Sequence, residues 1–184
     1  MPLPPQDAPA GLIRQLRPSD APRFRDHLQR LDTTARHDRF NGGIDDGFLE
    51  RYAERCFGDG TTVIGCVIAD RVVAAAELHE RPEFECPTGE AAFSVEHAHR
   101  RRGLGSRLFE RLLLHARALG YDRLLVTTHA DNGAMKALAR KYDAQLEFDV
   151  GEAHGIIELA GVGPAGSAWA SDHAVDGLAE LPRL

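Results

Sequence analysis

Residues 90–120 read EAAFSVEHAHRRRGLGSRLFERLLLHARALG, and this stretch decides the fold. Its first part predicts a strand, its middle a basic turn, and its last part an amphipathic helix. Where a strand runs into a helix, the free N–H groups of the first helical turn point outward, and the helix dipole favours negative charge there. The stretch therefore predicts a binding site for an anion.

The turn carries residues that suit a phosphate group. Gly103 and Gly105 remove side chains that would keep a phosphate away from the backbone. Arg100, Arg101 and Arg102 add charged hydrogen-bond donors that match phosphate oxygens. The alternative is an ordinary strand–helix connection with a solvated arginine run, which the turn alone does not exclude. The strand before it and the helix after it favour the phosphate site.

Two common phosphate-binding motifs do not fit this turn. The dinucleotide fingerprint GxGxxG fails because its third glycine position is Leu108, and the Gly-Lys-Ser/Thr of a nucleotide P-loop does not follow. The pattern that fits is Arg-x-x-Gly-x-Gly, from Arg100 to Gly105. After a strand that contains Val95, this pattern resembles the acetyl-CoA pyrophosphate loop of the GNAT N-acetyltransferases. The resemblance implies that acetyl-CoA is the cosubstrate.

The resemblance also implies which residues hold acetyl-CoA. In relatives the loop binds the pyrophosphate, and the strand backbone near its valine binds the pantetheine arm and polarises the thioester carbonyl. The cofactor-binding residues expected here are Ser94, Val95, Arg100, Arg101, Arg102, Gly103, Leu104, Gly105, Ser106 and Asn132. Asn132 can also cap the helix that follows it, and both roles can hold at once.

Composition limits the classes of protein to which the chain can belong. With 184 residues, 43% of them hydrophobic and 27% charged, it predicts one soluble globular domain. A net charge of −6 argues against nucleic acid as the partner of the arginine run. The longest apolar runs, such as 63–69, are too short to span a bilayer, and the first residues do not resemble a signal peptide. The three cysteines fit reduced thiols, so we expect a cytoplasmic protein.

Periodicity and turn residues predict the remaining elements. The predicted strands are Leu12–Leu16, Thr61–Ile68, Val72–His79, Glu90–Glu96, Leu124–Thr128, Gln145–Val150 and Gly155–Leu159. The predicted helices are Pro18–Leu31 with Ser19 or Asp20 as N-cap, Asp45–Cys56, Gly103–Leu119, and a short helix that Asp131 or Asn132 caps and that ends at Tyr142. Turns are expected at Asp70-Arg71 and Gly151, and Gly120 ends the long helix. The buried stripe of that helix is predicted to be Leu104, Leu108, Leu112 and Ala116, with Leu119 near it.

This order of elements is that of the GNAT fold, an α/β (α+β) fold in which helices flank a central mixed, mostly antiparallel sheet. We expect the GNAT domain to occupy residues 11–160. Residues 1–10 are rich in proline and are expected to be disordered. Residues 161–184 are rich in glycine and alanine and are expected to form a C-terminal tail.

Within this family the chain resembles most the bacterial Pat-type protein lysine acetyltransferases. The likeness rests on Arg-x-x-Arg-Phe at Arg36–Phe40, on a glutamate five residues before the valine at Glu90, and on Asn-x-x-Met-x-x-Leu-Ala-Arg-Lys at Asn132–Lys141. It implies that the acceptor is a primary amine, either a protein lysine or a small-molecule amine. The sequence leaves a monomer and a homodimer both open.

Acetylation of an amine requires a group that removes a proton from the ammonium, and the resemblance nominates Glu90 as this general base. The alternative is that Glu90 is only the polar end of a hairpin strand. Many relatives have a tyrosine that protonates the leaving thiolate, but here that position is Ala139, and Tyr142 lies about 60° away around the helix axis. We expect direct attack of the amine on acetyl-CoA in a ternary complex. A non-catalytic acyl-CoA sensor is the second hypothesis.

Four other side chains are candidate site residues. Glu77 and His79 end a predicted strand and could line the acceptor pocket, although a plain exposed edge is the expectation. His97 and His99 lie beside the loop, where no third ligand is in register, so we expect no metal.

Overall fold

The computed structural model describes residues 11–40 and 44–159, and this part of the chain forms seven strands and five α-helices. They are β1 (Leu12–Gln15), α1 (Ala21–Gln29), α2 (Thr33–Phe40), α3 (Asp46–Arg55), β2 (Thr61–Ile68), β3 (Arg71–Glu80), β4 (Thr88–Val95), α4 (Leu104–Ala118), β5 (Arg123–His129), α5 (Gly133–Lys141), β6 (Gln145–Asp149) and β7 (Glu152–Glu158). The disordered start predicted for residues 1–10 and the tail predicted for residues 161–184 lie outside the described residues.

The strands form one sheet in the order β1-β2-β3-β4-β5-β7-β6. Every neighbouring pair is antiparallel except β4 and β5, which are parallel. The chain connects these two strands through α4, because parallel strands require a crossover. The predicted mixed, mostly antiparallel sheet is confirmed.

Helices cover both faces of the sheet. One face packs against α4 and α5, and the other against α1 and α3. The predicted stripe of α4 is confirmed, since four of its side chains are buried against the sheet: Leu104, Leu108, Leu112 and Ala116. Leu119 is 55% exposed instead, because the helix ends at Ala118 and the chain turns at Gly120, where φ is +81°.

Three aromatic rings join the sheet to α4 and α5. The Phe109 ring of α4 stacks on Phe93 of β4 and on Tyr142, the residue after α5, with centroid distances of 5.0 and 4.5 Å. Phe109 is fully buried. Such pairs contribute about 0.5–1.5 kcal/mol beyond the burial of their area, so the stack helps to hold α4 and α5 on β4.

The start of the chain differs from the prediction. Pro18–Asp20 form a 3-10 turn, and α1 begins at Ala21. Asp20, one of the two predicted N-cap residues, occupies the N-cap position of α1, but its side chain does not accept a hydrogen bond from this helix. The Asp20 carboxylate instead accepts two hydrogen bonds from the Arg14 guanidinium, at 2.7 and 2.9 Å. Arg14 lowers the pKa of Asp20 to about 2. This bidentate ion pair ties β1 to the beginning of α1.

Helix α2 was not predicted as a separate element. None of its residues is buried, so it lacks the apolar stripe that reveals a helix in a sequence. It begins after Asp32, whose carboxylate accepts the N–H of Ala35 at 2.8 Å and serves as the N-cap.

The hairpin of β2 and β3 turns at Ala69 and Asp70, one position before the predicted turn. Both residues have positive φ angles, 47° and 62°, as a two-residue hairpin turn requires. Arg23 of α1 holds the turn by donating to the carbonyl of Asp70 at 3.2 Å and to its carboxylate at 2.7 Å. The turn at Gly151 is confirmed, with φ of +82°, although β7 begins at Glu152, earlier than predicted.

Among the helices of residues 11–40 and 44–159, none combines the length and the apolar character that crossing a bilayer requires. Cys56, Cys66 and Cys86 are free thiols.

Replacing Phe109 by alanine should lower the free energy of unfolding by about 3–5 kcal/mol, because it removes a buried ring and leaves a cavity. Urea denaturation followed by circular dichroism measures this loss. The matched control is Leu114→Ala. Leu114 lies on the same helix and is 60% exposed, so its loss should change stability by less than about 0.5 kcal/mol. Equal losses in the two variants would show that the aromatic stack does not anchor α4.

Candidate active site

The parallel strands β4 and β5 separate at their C-terminal ends. Their pairing stops at Ala91 opposite Val126, although β4 continues to Val95 and β5 to His129. On its other side β4 stays paired with β3 as far as Val95. The backbone of residues 92–95 therefore borders a cleft with one strand edge turned towards it. Such an edge can pair with an extended chain of amides, and ligands of α/β sheets commonly bind where parallel strands end.

The predicted loop lies at the end of this cleft. After β4 the chain makes one 3-10 turn, and α4 begins at Leu104 with Gly103 as its N-cap. No described side chain caps α4, so the N–H groups of Leu104, Gly105 and Ser106 have no partner within the helix and can receive an anion. The strand, loop and helix predicted from the sequence are confirmed.

The two glycines of the loop have different reasons to be there. Gly103 has φ of +76°, a conformation that residues with a side chain rarely adopt. A Cβ on Gly105 would lie 3.7 Å from Leu138, an ordinary contact, so the protein itself does not demand glycine at this position. A ligand that binds close to the backbone would explain why position 105 is a glycine.

The three arginines of the loop are not equivalent. Arg100 donates to the Val95 carbonyl at 3.1 Å and lies 2.8 Å from the carboxylate of Asp32, the N-cap of α2. It therefore fastens the loop to the start of α2. Arg101 and Arg102 are exposed beside the N-terminus of α4. These two are better disposed than Arg100 to meet a phosphate.

Ser94 directs its hydroxyl to a buried histidine that the sequence did not point out. His27 of α1 is fully buried, with Nε2 2.9 Å from Ser94 Oγ and Nδ1 3.2 Å from the Glu96 carboxylate. Arg30 donates to the same carboxylate at 3.0 Å. The Ser94 hydroxyl therefore fastens α1 to β4. The hydrogen bonds of Glu96 with Val73 and of Arg81 with Thr88 fix the phase of the β3–β4 ladder, so the backbone of Ser94 faces β3 and that of Val95 faces the cleft.

Burial lowers the pKa of His27 despite the opposing effect of Glu96, so the ring is neutral near pH 7. Nδ1–H then donates to Glu96, and Nε2 accepts from the Ser94 hydroxyl. Burial would raise the pKa of Glu96, but the hydrogen bonds from His27 and Arg30 hold it below its ordinary value.

Glu90 is half-buried on the face of β4 that also carries Ala92 and Ser94, since successive side chains of a strand alternate between its two faces. Its carboxylate accepts a hydrogen bond from Arg81, whose guanidinium also binds Glu83 at 2.6 Å. Periodicity could not have found this partner, because Arg81 lies in the irregular segment between β3 and β4. The carboxylate predicted as a base is therefore held in an ion pair.

A buried polar network lies beneath α2. Glu77 is fully buried, so the expected exposed edge is wrong at this position. Its Oε2 accepts hydrogen bonds from Arg39, at 2.9 Å, and from the Tyr52 hydroxyl, and it lies 3.2 Å from His79. Burial would raise the pKa of Glu77, but Arg39 and His79 outweigh it and bring the pKa well below its usual range. The second arginine of the Arg-x-x-Arg-Phe motif was the signal in the sequence for this network.

Asn132 caps α5, as predicted. Its Oδ1 accepts the N–H of Met135 at 3.0 Å, and its Nδ2 donates to Thr128 at 2.9 Å. The amide thus joins α5 to the end of β5, and a contact with acetyl-CoA stays a prediction.

The position of the expected proton donor is filled by Ala139, which is buried at 1% exposure. The Tyr142 hydroxyl donates to Glu110 at 2.9 Å and lies 3.3 Å from the Ser106 carbonyl, both on α4. Burial, together with Glu110, raises the pKa of Tyr142. The Tyr142 hydroxyl is therefore engaged with α4, and the absence of a dedicated acid stays a prediction.

The sequence profile of the acetyltransferase (GNAT) family matches residues 23–143, more than half of the chain. The chain belongs to this family. It is an acetyltransferase, and acetyl-CoA is the cosubstrate of the N-acetylation that the GNAT family performs. The GNAT fold predicted from the sequence is confirmed.

Solved structures share the fold of this chain. The GNAT domain of PAT from S. lividans has a TM-score of 0.69 and 19% identity, over 79% of this chain and 89% of that one. An N-acetyltransferase from Staphylococcus aureus Mu50 has a TM-score of 0.63 and 20% identity, over 81% and 98%. The protein yncA from Salmonella typhimurium, solved with its cofactor acetyl-CoA, has a TM-score of 0.64 and 18% identity, over 86% and 99%. At these identities the likeness shows the fold alone, and no curated protein sequence matches the chain significantly.

The stability of this GNAT protein should fall as the pH drops below about 6.5. The pKa of His27 is lower in the folded state than its ordinary value of 6.5, so the unfolded state binds the proton first and stability rises with pH in this window. The slope is at most about 1.4 kcal/mol per pH unit. Urea denaturation between pH 5 and 8 measures it, and His27→Gln should flatten the profile. A wild-type profile that is flat or rises towards pH 5 would contradict the assignment.

Proposed function

We propose that the protein moves the acetyl group of acetyl-CoA to a primary amine by direct attack in a ternary complex. The acceptor is the side chain of a protein lysine or a small-molecule amine. The observation that supports this most strongly is the position of Glu90. It lies opposite Leu125 where β4 and β5 still pair, just before the strands separate at Ala91. One strand thus carries a carboxylate at the closed end of the cleft and the anion-binding loop at its open end.

The loop and the strand edge together suit the two halves of coenzyme A. The amides of Leu104, Gly105 and Ser106 receive the pyrophosphate, and Arg101 and Arg102 add charge beside them. Of the two strand residues expected to bind the pantetheine arm, Val95 offers its backbone N–H to the amides of the arm, because the backbone of Ser94 faces β3. Acetyl-CoA supplies the acyl group as an activated thioester.

Glu90 acts as the general base. An ammonium ion is not a nucleophile, so a carboxylate has to take its proton, directly or through a water. Arg81 binds Glu90 Oε2 and holds the carboxylate in place, which leaves the second oxygen for the proton. Arg81 is itself held by Glu83.

The leaving thiolate requires no acid from the protein. Ala139 offers no proton, and the Tyr142 hydroxyl is engaged with Glu110. A thiol has a pKa of about 8.5, so the thiolate is a tolerable leaving group at neutral pH.

Glu90→Gln should lower kcat by about 100-fold or more while the Kd of acetyl-CoA stays within about twofold. The amide keeps the shape and can still accept from Arg81, but it cannot take a proton. Steady-state kinetics and calorimetry measure the two quantities. The matched control is Glu83→Gln, the other carboxylate bound to Arg81, which should keep kcat within about threefold. Unchanged turnover in Glu90→Gln would remove Glu90 from the mechanism.

The double variant Arg101→Gln, Arg102→Gln should raise the Kd of acetyl-CoA by about tenfold, because it deletes two charged donors beside the pyrophosphate site. Calorimetric titration at a fixed salt concentration measures this change. Arg117→Gln, which removes an exposed arginine near the other end of α4, should leave the affinity unaltered. Equal affinity in the wild type and the double variant would exclude both arginines from the site.

The second candidate is a sensor that binds acyl-CoA without turning it over. The ion pair between Arg81 and Glu90 and the alanine at position 139 favour it. Release of free CoA with a panel of amines, followed by a thiol reagent, separates the two functions. Tight acetyl-CoA binding without release in the presence of any amine would favour the sensor.

We infer a protein lysine as the first acceptor to test, on the Pat-type likeness carried by Arg36–Phe40, Glu90 and Asn132–Lys141. Mass spectrometry of lysine peptides and of polyamines after incubation with acetyl-CoA distinguishes the two acceptor classes. The same likeness suggests a bacterial source. The free cysteines support a cytoplasmic location, and size-exclusion chromatography would decide whether the protein is a homodimer.

A further inference from the structure

Two histidines and one aspartate meet where α2 passes over the end of β5. One potential ligand atom from each of His37, Asp38 and His129 lies within 4.8 Å of the other two. The two imidazole rings are 5.0 Å apart at an interplanar angle of 71°. Because His37 and His129 are far apart in the sequence, no spacing motif could reveal this group.

We propose that these three residues form a binding site for a divalent transition metal, with Zn²⁺ as the first candidate. Imidazole nitrogen and carboxylate oxygen are ligands that Zn²⁺ commonly takes, and three protein ligands leave a fourth position open. His37 is exposed, and Asp38 and His129 are half-buried, so an ion can reach the site from solvent. The proposal does not depend on acetyl transfer.

The charges around Asp38 support a cation at this position. Arg36 is directed to Asp46, at 3.2 Å, and Arg39 to the buried Glu77, at 2.9 Å. Within residues 11–40 and 44–159 no cationic side chain forms an ion pair with Asp38. Its carboxylate is therefore available, beside two imidazoles, to neutralise an added positive charge.

Asp131 fixes the orientation of the His129 ring. Its backbone N–H donates to His129 Nδ1 at 3.2 Å, and its carboxylate lies 3.8 Å from the same nitrogen. Asp131 therefore occupies the Nδ1 side of the ring, and Nε2 faces away from it. Binding of a metal at Nε2 displaces the proton from that nitrogen to Nδ1, where the Asp131 carboxylate replaces the backbone N–H as the partner of the ring.

A second group with ligand spacing, formed by Cys56, Glu77 and His79, does not suit a metal in the same way. Arg39 already places a positive charge 2.9 Å from the Glu77 carboxylate. Burial also raises the pKa of the Cys56 thiol, which opposes the thiolate that a metal needs. The contrast favours the group at α2 and β5.

A metal at this position would join α2 to the end of β5. These two elements flank the cleft on the side opposite α4, where α2 also contacts β4. The bound ion would therefore restrain α2 over the mouth of the cleft, and we expect it to stabilise the fold whether or not acetyl-CoA is present.

The test is a Zn²⁺ titration of the full chain without an affinity tag, followed by calorimetry and by thermal unfolding. We expect one Zn²⁺ per chain and a Tm that rises by about 5–10 °C at a concentration 100 times the Kd. Co²⁺ serves as a spectroscopic probe, because its visible absorption reports imidazole ligation and coordination geometry.

Three variants identify the ligands. His37→Asn, Asp38→Asn and His129→Asn should each weaken Zn²⁺ binding at least about tenfold, because even outer partners of metal ligands contribute that much. His37 is exposed, so its variant should fold normally, and the metal-free Tm of every variant checks this. His115→Ala on α4 is the matched control and should bind Zn²⁺ as the wild type does. The proposal would be overturned by an absence of binding to the wild type, or by equal affinities for the wild type and His37→Asn.

Discussion

The cleft exists because two neighbouring strands stop hydrogen-bonding to each other in the middle of the sheet, after Ala91 and Val126. The same pair is the parallel one, and parallel strands can be connected only by a crossover, here α4. The crossover brings the N-terminus of a helix to the place where the strands separate. An edge of backbone amides and an anion-binding helix end therefore arise together from one topological feature. Glu90 lies on β4 just before the separation. The same strand therefore also positions its carboxylate relative to the amide edge and to the helix end.

The side of the cleft opposite α4 is held by polar contacts rather than by an apolar stripe. Helix α2 buries none of its residues, yet it is fixed at its start by Asp32 and Arg100 and near its end by Arg39 and Glu77. Hydrogen bonds are directional, so they define the position of a helix that apolar packing alone would leave free to slide. Helix α1 is held by apolar packing and by polar contacts, because its apolar face packs on the sheet while His27 reaches the end of β4.

Most of the fold could be predicted from the sequence, because strands, amphipathic helices and caps depend on residues that are close along the chain. The stripe of α4, the strand β2 and the cap at Asn132 are of this kind. Helix α2 could not be predicted, because it lacks an apolar stripe. The candidate site divides in the same way. Its loop and its carboxylate are local motifs, but the partners that hold them, such as Asp32 for Arg100 and Arg39 for Glu77, come from distant segments that only the folded chain brings together.

The ion pair of Arg39 and Glu77 restricts how this sequence can diverge. Arg39 reaches from α2 to Glu77 on β3, and the carboxylate is fully buried. Losing either one alone leaves an unpaired buried charge, at a cost of about 3–5 kcal/mol, which is a large part of the stability of a small domain. Replacing both by apolar residues of similar volume avoids the unpaired charge, at the smaller cost of the hydrogen bond that the Tyr52 hydroxyl donates to Glu77. These two positions therefore have to change together, and lineages descended from a common ancestor should retain both charges or neither.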